Sequence, residues 1–392
     1  MAESYKILGQ LVPTEENILY TSPVNTQTII SNITVVNRSS VTETFDINIY
    51  TNSFTKPNFF VAADYLTTKS LISTDGLTWT LSVLPVSLQW VSLTYGNGLF
   101  VLPASSSTRV LTSTNGTVWT TRTLPSSSPW VSSTYGNGLF VIVAAGPSSA
   151  AATSTDSITW TTRTLPLVAN WYSVIYGNNL FVTLEDFGTA VASSTDGITW
   201  ALNTLPIVDD FRSLAYGNKI FVSVATPVSG STSSIYSTDG VTWSVSTLPE
   251  KQSWKSVVYG DKKFVAISDS TSAAYSTNGI NWTLSTLPMT SYGQITYGDG
   301  KFIAINNFFT SVAISTDGIT WTEGTSIAAT TSRTVAYSTL TSPVSKNLYK
   351  NVTIAANSFQ VLEPGITLGS QNSIVVRGNS SLTFSTYGLE IS

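Results

Sequence analysis

Along most of the chain, apolar and polar residues alternate with a period of two in short runs divided by polar turns. Such alternation marks half-buried strands, and no stretch sustains a helical period. One stretch shows the unit. WVSLTY (Trp90–Tyr95), LFVLPA (Leu99–Ala104), RVLTST (Arg109–Thr114) and TVWTTRT (Thr117–Thr123) read as strands a, b, c and d. They are rich in β-branched and aromatic residues, and Asn-Gly pairs punctuate them, as tight hairpins require.

The unit recurs. STDGLTW ends at Trp79, STNGTVW at Trp119, STDSITW at Trp160, STDGITW at Trp200, STDGVTW at Trp243, STNGINW at Trp282 and STDGITW at Trp321. The intervals are 40, 41, 40, 43, 39 and 39 residues. A second motif runs out of phase, from YGNGLFV at Tyr95 to YGDGKFI at Tyr297. Four strands in about 40 residues is the size of a propeller blade. The Trp79 unit has strands b, c and d but no a. After Trp321 comes RTVAYST (Arg333–Thr339), which reads as an a strand with nothing following it. The two incomplete units make one whole blade, which predicts seven blades closed by a strand from each end and leaves no open edge.

Both ends of the chain are also strand-like. TIISNITVVNR and TFDINIY lie before the repeats, and YKNVTIA, NSIVVRG and SLTFSTYGLEI after them. Neither end can bury two faces alone, but together they suffice for a small β-sandwich. The expected fold is therefore all-β: residues 1–56 as the first half of a sandwich, 57–339 as a seven-bladed propeller, and 340–392 as the second half. The chain enters the propeller at strand b and leaves it after strand a. This predicts a sandwich projecting from the a–b face and recognition by the d–a and b–c loops opposite. The b–c set is Ser105–Thr108, Gly146–Ala151, Glu185–Gly188, Thr226–Ser234, Asp269–Ser272 and Asn306–Thr310.

Composition narrows the chemistry. There is no Cys and no His, which excludes disulfides, thiolate nucleophiles, the Ser-His-Asp triad and His- or Cys-ligated zinc. With 18 basic and 22 acidic residues and no basic block, nucleic acid is not an expected partner. No run of 18 apolar residues occurs, so no transmembrane helix is expected, and the opening segment does not read as a secretory signal.

The repeated residues Asp75, Asn115, Asp156, Asp196, Asp239, Asn278 and Asp317, with Trp79, Trp119, Trp160, Trp200, Trp243, Trp282 and Trp321, read as structural. The acid or amide would accept backbone N–H bonds in a tight c–d turn while the Trp returns to the core. Asn at two positions and Ser157 in place of Gly argue against catalysis or metal there, and no metal or cofactor is expected. The motif resembles the Asp-box of sialidase-type and BNR-repeat propellers, with one residue fewer between Asp and Gly. The resemblance covers roughly residues 59–339 and implies a propeller. Sialidase chemistry further needs an Arg triad, and only Arg212 and Arg333, with Lys255, fall in a strands.

Glu185, Asp186, Asp209 and Asp210 form an acidic cluster in the loops of the variable face, on adjoining units. They are expected to be solvated loop carboxylates and, with Arg212 and Lys255, to mark any binding site. Trp130, Trp171, Trp254 and Tyr292 open the a strands and are expected to pack at blade junctions.

A second resemblance lies at the ends. Tyr5, Gly9, Gln10, Leu19, Tyr20, Thr21, Pro23, Ser31, Ile33, Val35, Asn37 and Arg38, with the closing SIVVRGNSSLTFSTYGLEI, are similar to a small β-sandwich module of tailed-phage virion proteins. It implies a virion structural protein, located in the particle and oligomeric there. The sandwich would meet other virion proteins, and the propeller a host glycan or receptor. The expected function is a non-enzymatic tail, fibre or decoration component. A glycan-degrading propeller enzyme and a cellular protein-binding scaffold are the alternatives.

Overall fold

The computed structural model describes residues 6–11, 16–21, 27–50, 59–227, 229–307, 311–324, 332–338, 345–362, 366–368, 373–377 and 382–391. Tyr5, Pro23, Val228 and residues 308–310 of the predicted loops lie outside the described residues. The described chain is all-β, without a helix. It divides into two compact units, Met1–Lys56 with Leu340–Ser392, and Pro57–Thr339.

The first unit contains two antiparallel sheets. One runs in the order Lys6–Leu11, Leu382–Ile391, Gln27–Asn37, Phe359–Leu362, with Ile366–Leu368 also on Gln27–Asn37. The other runs Glu16–Thr21, Ser373–Arg377, Glu43–Tyr50, Ser345–Ile354. Each sheet interleaves strands from the two ends of the chain, so neither end satisfies its backbone hydrogen bonds alone. Phe45 of one sheet meets Phe384 of the other edge to face, with centroids 5.6 Å apart. Such a pair adds about 0.5–1.5 kcal/mol to its burial. Asn37 is buried, and its Nδ2 donates to the carbonyls of Val41, Ile354 and Ala355. Its Oδ1 accepts the Ser39 N–H at 2.9 Å. This one amide therefore ties the two ends together.

The second unit repeats a four-stranded antiparallel meander. The Trp119 sheet is Thr94–Gly96, Leu99–Pro103, Ser107–Ser113, Thr120–Ser128. The later sheets open with Trp130–Gly136, Phe211–Gly217, Trp254–Gly260 and Tyr292–Gly298. The long strand Thr161–Gly177 closes one sheet and opens the next without a break. The Trp79 sheet is built from both ends of the unit: Ser332–Tyr337 pairs antiparallel with Phe60–Asp64, from Ser332 opposite Asp64 to Tyr337 opposite Phe60. The first strands contact one another in succession, and Ser332–Tyr337 contacts Thr94–Gly96, so the series returns on itself.

Two sequence expectations about strand limits need correcting. Strand d of the Trp119 sheet does not end at Thr123 but runs through the Leu-Pro pair to Ser128. Its first strand is shorter than expected, and Trp90 joins it only through an isolated bridge to Ala104. A departure from the repeat lies beside it. Gly96, Gly136, Gly177, Gly217, Gly260 and Gly298 each lie where an added Cβ would overlap the tyrosine ring of the next first strand. Ser338 occupies that position in the Trp79 sheet. It brings a side chain where the others have none, and hydrogen-bonds through Oγ to the Phe59 N–H at 2.9 Å. The first strand that follows it is the irregular one.

The core lies between sheets. Val61 and Ala63 of one sheet pack with Phe100, Leu111 and Trp119 of the next, and Val141 and Val143 with Phe181 and Trp200. Each apolar strand pair is thus covered by its neighbour, as stacked repeats require. Trp130, Trp171, Trp254 and Tyr292 are fully buried in these junctions.

Candidate functional site at the bulged first strands

The c–d turns are built alike. In the Trp200 sheet, Asp196 Oδ1 accepts the N–H groups of Ile198 and Thr199 at 2.8 Å and the Ser194 hydroxyl at 2.9 Å. Asn115 does the same with Thr117 and Val118 at 3.0 and 2.9 Å. Backbone donors hold the Asp196 carboxyl below its ordinary range. For Asp317, burial pushes upward, but the Thr320 and Ile319 N–H groups and the Ser315 hydroxyl outweigh it and bring the carboxyl to about 2. A carboxylate gripped this way has no oxygen lone pair directed at a substrate through Oδ1. Among the described residues, no three acidic side chains converge as cation ligands.

The first strands carry a different feature. Each described one from Trp130–Gly136 to Ser332–Tyr337 shifts register at its second residue, between Trp130 and Ser132, Trp171 and Ser173, Phe211 and Ser213, Trp254 and Ser256, Tyr292 and Gln294, and Ser332 and Thr334. A bulge leaves its extra residue out of the ladder and re-aims that side chain. Two consequences follow. The third residue's hydroxyl reaches the next first strand: the N–H of Ser133 donates to Ser92 Oγ, Val174 to Ser132, Val257 to Ser213, Ile295 to Ser256 and Leu93 to Thr334 Oγ1, at 2.7–3.4 Å. These serines satisfy backbone donors at the sheet junctions, a role the sequence reading missed although Ser recurs at that position. The second residue, by contrast, varies: Val131, Tyr172, Arg212, Lys255, Gly293 and Arg333.

Arg212 is the centre of an elaborate constellation among the described residues. Its Nε lies 2.6 Å from Asp210 Oδ1 and 3.2 Å from Asp186 Oδ2. The first contact is a close ion pair rather than an aligned hydrogen bond, since Asp210 Oδ1 has no hydrogen-bond partner of good geometry. Asn170 Nδ2 also donates to Asp186 Oδ2 at 3.3 Å, and Asn170 Oδ1 accepts the Gly146 N–H at 2.7 Å. The guanidinium sits over the rings of Tyr172 and Phe187, with Cζ 5.1 and 5.6 Å from their centroids. Asp186 and Asp210 side chains are 4% and 1% exposed, whereas Arg212 is 34% exposed.

The expectation of solvated loop carboxylates is therefore corrected for Asp186 and Asp210. Burial raises the Asp210 carboxyl to about 7, with Asp186 beside it pushing the same way and Arg212 opposing. For Arg212, burial pulls downward, but the two aspartates keep the guanidinium above its ordinary value. Glu185 and Asp209 serve their own loops. Glu185 Oε2 accepts the Ala190 N–H at 3.0 Å, and Asp209 Oδ2 accepts the Ser231 hydroxyl at 2.7 Å. Lys255 lies on the next first strand and pairs with Asp269 at 3.2 Å and with the Ser253 hydroxyl at 2.7 Å. Sequence reasoning found Arg212 but not Tyr172, Asn170 or Phe187. Tyr172 stands at the same bulge position as Arg212, and that alignment was the available signal.

No family model matches the sequence, and no curated protein matches it. Solved structures do match. A streptogramin B lyase shares 13% identity with a TM-score of 0.55, over 67% of this chain and 94% of its own. A catalytically inactive histidine-to-alanine variant of virginiamycin B lyase from Staphylococcus aureus, with quinupristin, shares 9% identity at a TM-score of 0.54, over 85% of this chain and 99% of its own. YCF48 bound to D1 peptide shares 16% at 0.50, over 70% and 86%. At these identities the likeness concerns the fold, which is of the β-propeller type. The expectation that the chain is not an enzyme is overturned by the lyases among these structures. Propeller-type folds carry catalysis as well as binding, because function resides in the site rather than in the fold. The absence of His from this chain removes only a counterpart to the histidine replaced in the inactive lyase. What the chain shares with these proteins is an all-β, propeller-type architecture.

Proposed function

We propose that the protein is a structural component of a tailed-phage particle whose repeat unit recognises a glycan on the host surface. In this reading the repeat unit is a seven-bladed propeller closed by the shared Trp79 sheet. The two terminal segments form a β-sandwich that contacts other virion proteins. The resemblance of the ends to a small β-sandwich module of tailed-phage virion proteins supports the virion assignment. The observation that carries the recognition site is Arg212, fixed by two buried carboxylates and flanked by Tyr172 and Phe187 at positions the repeat leaves variable. Fixed guanidinium donors beside aromatic faces suit the hydroxyls and C–H faces of a sugar.

The test has two parts. Mass spectrometry of purified particles should find the chain, and Arg212→Ala particles should assemble but adsorb to cells at least ten-fold more weakly. Absence from particles would reject the virion reading, and unchanged adsorption would reject the site. Release of reducing ends from host polysaccharide by the purified chain would favour a second reading, cleavage of the bound glycan.

A further inference from the structure

Three features near Arg212 bear on what kind of sugar could sit there. The first is Phe187. It is 60% exposed and has a φ of 58°, a left-handed backbone that a bulky residue adopts rarely. Its loop is held shut at the base, where Glu185 Oε2 accepts the Ala190 N–H. An aromatic ring kept in solvent at a backbone cost is a feature that accumulates at ligand sites. The second is the pair of buried carboxylates behind the guanidinium, with Asp210 Oδ1 at 2.6 Å and Asp186 Oδ2 at 3.2 Å from Nε. They hold Arg212 from within, so its exposed side is positioned before any ligand arrives. The third is the local charge. Arg212 is paired with two carboxyl groups, Asp186 and Asp210, and Lys255 on the adjacent strand is paired with Asp269. A guanidinium already matched by carboxylates has little charge left for an anion.

We infer that the site takes an uncharged pyranose residue, its C–H face stacked on Phe187 and its hydroxyls bonded to Arg212, and that it discriminates against acidic sugars. This rests on the reading of the Arg212 site as glycan-binding and names the class of glycan. Exposed aromatics bind sugar faces through apolar contact that carries no charge requirement, whereas a site for sialic or uronic acids needs guanidinium groups free of carboxylate partners.

The experiment uses the full chain and saturation-transfer NMR with methyl glucoside, methyl galactoside and N-acetylglucosamine, set against N-acetylneuraminic acid and glucuronic acid. Variants are Phe187→Ala and Phe187→Trp, with unchanged melting as the folding control. The expected result is binding of at least one neutral sugar at least ten-fold tighter than either acid. Phe187→Ala should weaken it ten-fold or more, and Phe187→Trp should retain it. Preference for an acidic sugar, or neutral binding indifferent to Phe187→Ala, would overturn the inference while leaving a glycan site intact. Failure of every sugar to bind, including host envelope polysaccharide, would overturn the glycan reading and this inference with it.

Discussion

The aspartates of the c–d turns and Asp210 are the same residue type in opposite circumstances. Asp196 is one of a repeated series, surrounded by backbone N–H groups that stabilise its charge, and its pKa is lowered. Asp210 occurs at a single junction, is buried beside another carboxyl, and titrates near 7. A repeat protein divides its labour in this way. Residues repeated in every unit solve the problem each unit shares, which is folding a four-stranded meander and covering its faces. Residues that depart from the repeat at an equivalent position solve no shared problem, and the Arg212 constellation consists of such departures.

The largest effect expected from breaking the repeated side falls on Trp200. It is 9% exposed and shares a core with Phe181 of its own sheet and with Val141 and Val143 across the sheet junction. Trp200→Ala should cost about 3–5 kcal/mol in denaturant unfolding, from lost transfer and an unfilled cavity. A cost below about 1 kcal/mol would show that the junction does not depend on the tryptophan.

Much of this repeated side was legible in the sequence, because period-two alternation and a recurring turn are written into residue types. The pairing of Ser332–Tyr337 with Phe60–Asp64 corresponds to one missing and one surplus strand in the text of the repeat. The site was legible only in part. Arg212 was visible as a charged residue in an a strand, but the burial of Asp186 and Asp210 was not, since adjacent acidic residues in a loop look the same whether they face water or a guanidinium. Phe187 was hidden for a related reason: a lone aromatic in a loop has no period. The bulge itself has a signal only in hindsight of the pairing, as the serine three places into most of the first strands, with Gln294 and Thr334 in the last two.

The unique side should show itself in pH dependence. A carboxyl whose folded pKa lies above its unfolded value keeps a proton in the fold that the unfolded chain has lost. Between about 4 and 7, stability should therefore fall as pH rises, no more steeply than about 1.4 kcal/mol per pH unit, and level off above that. The turn aspartates act in the opposite sense. Their folded pKa is lowered, so their contribution is present above the ordinary carboxylate range and lost as pH falls toward 2. Asp210→Asn should flatten the slope between pH 4 and 7 and leave the acid limb untouched. An unchanged slope in Asp210→Asn would mean that another group carries the proton.

A smaller effect separates the two roles of the bulge. Ser213 stands beside Arg212, and its Oγ accepts the Val257 N–H at 2.9 Å. Ser213→Ala leaves that N–H without its partner, at a cost of about 1–3 kcal/mol. Ser213→Thr keeps the hydroxyl and should recover most of the loss. Sugar binding at Arg212 should be within two-fold of wild type in both variants at a temperature where they are folded. Loss of binding in Ser213→Ala with stability unchanged would reverse the assignment, placing the hydroxyl in the site and not in the junction.

The smallest effect is expected at Asp196, and it probes the comparison most directly. The turn uses only one side-chain oxygen, Oδ1, which accepts two N–H groups and the Ser194 hydroxyl. An asparagine carbonyl can take all three, and Asn115 and Asn278 do so with backbone bonds of 2.9–3.0 Å in place of 2.8 Å. The lengthening is what loss of charge assistance produces. Asp196→Asn should therefore cost only about 0.5–1 kcal/mol at neutral pH, within the range of a neutral hydrogen bond exchanged for a charged one. That difference should shrink further in acid, below the ordinary carboxylate range, as the wild-type carboxylate takes up a proton and loses its advantage. Asp196→Ala removes the acceptor altogether and should cost more than Asp196→Asn at every pH. If Asp196→Asn instead destabilises as much as Asp196→Ala, the charge itself is required at this turn. The repeated aspartate and the solitary one would then differ in degree and not in kind.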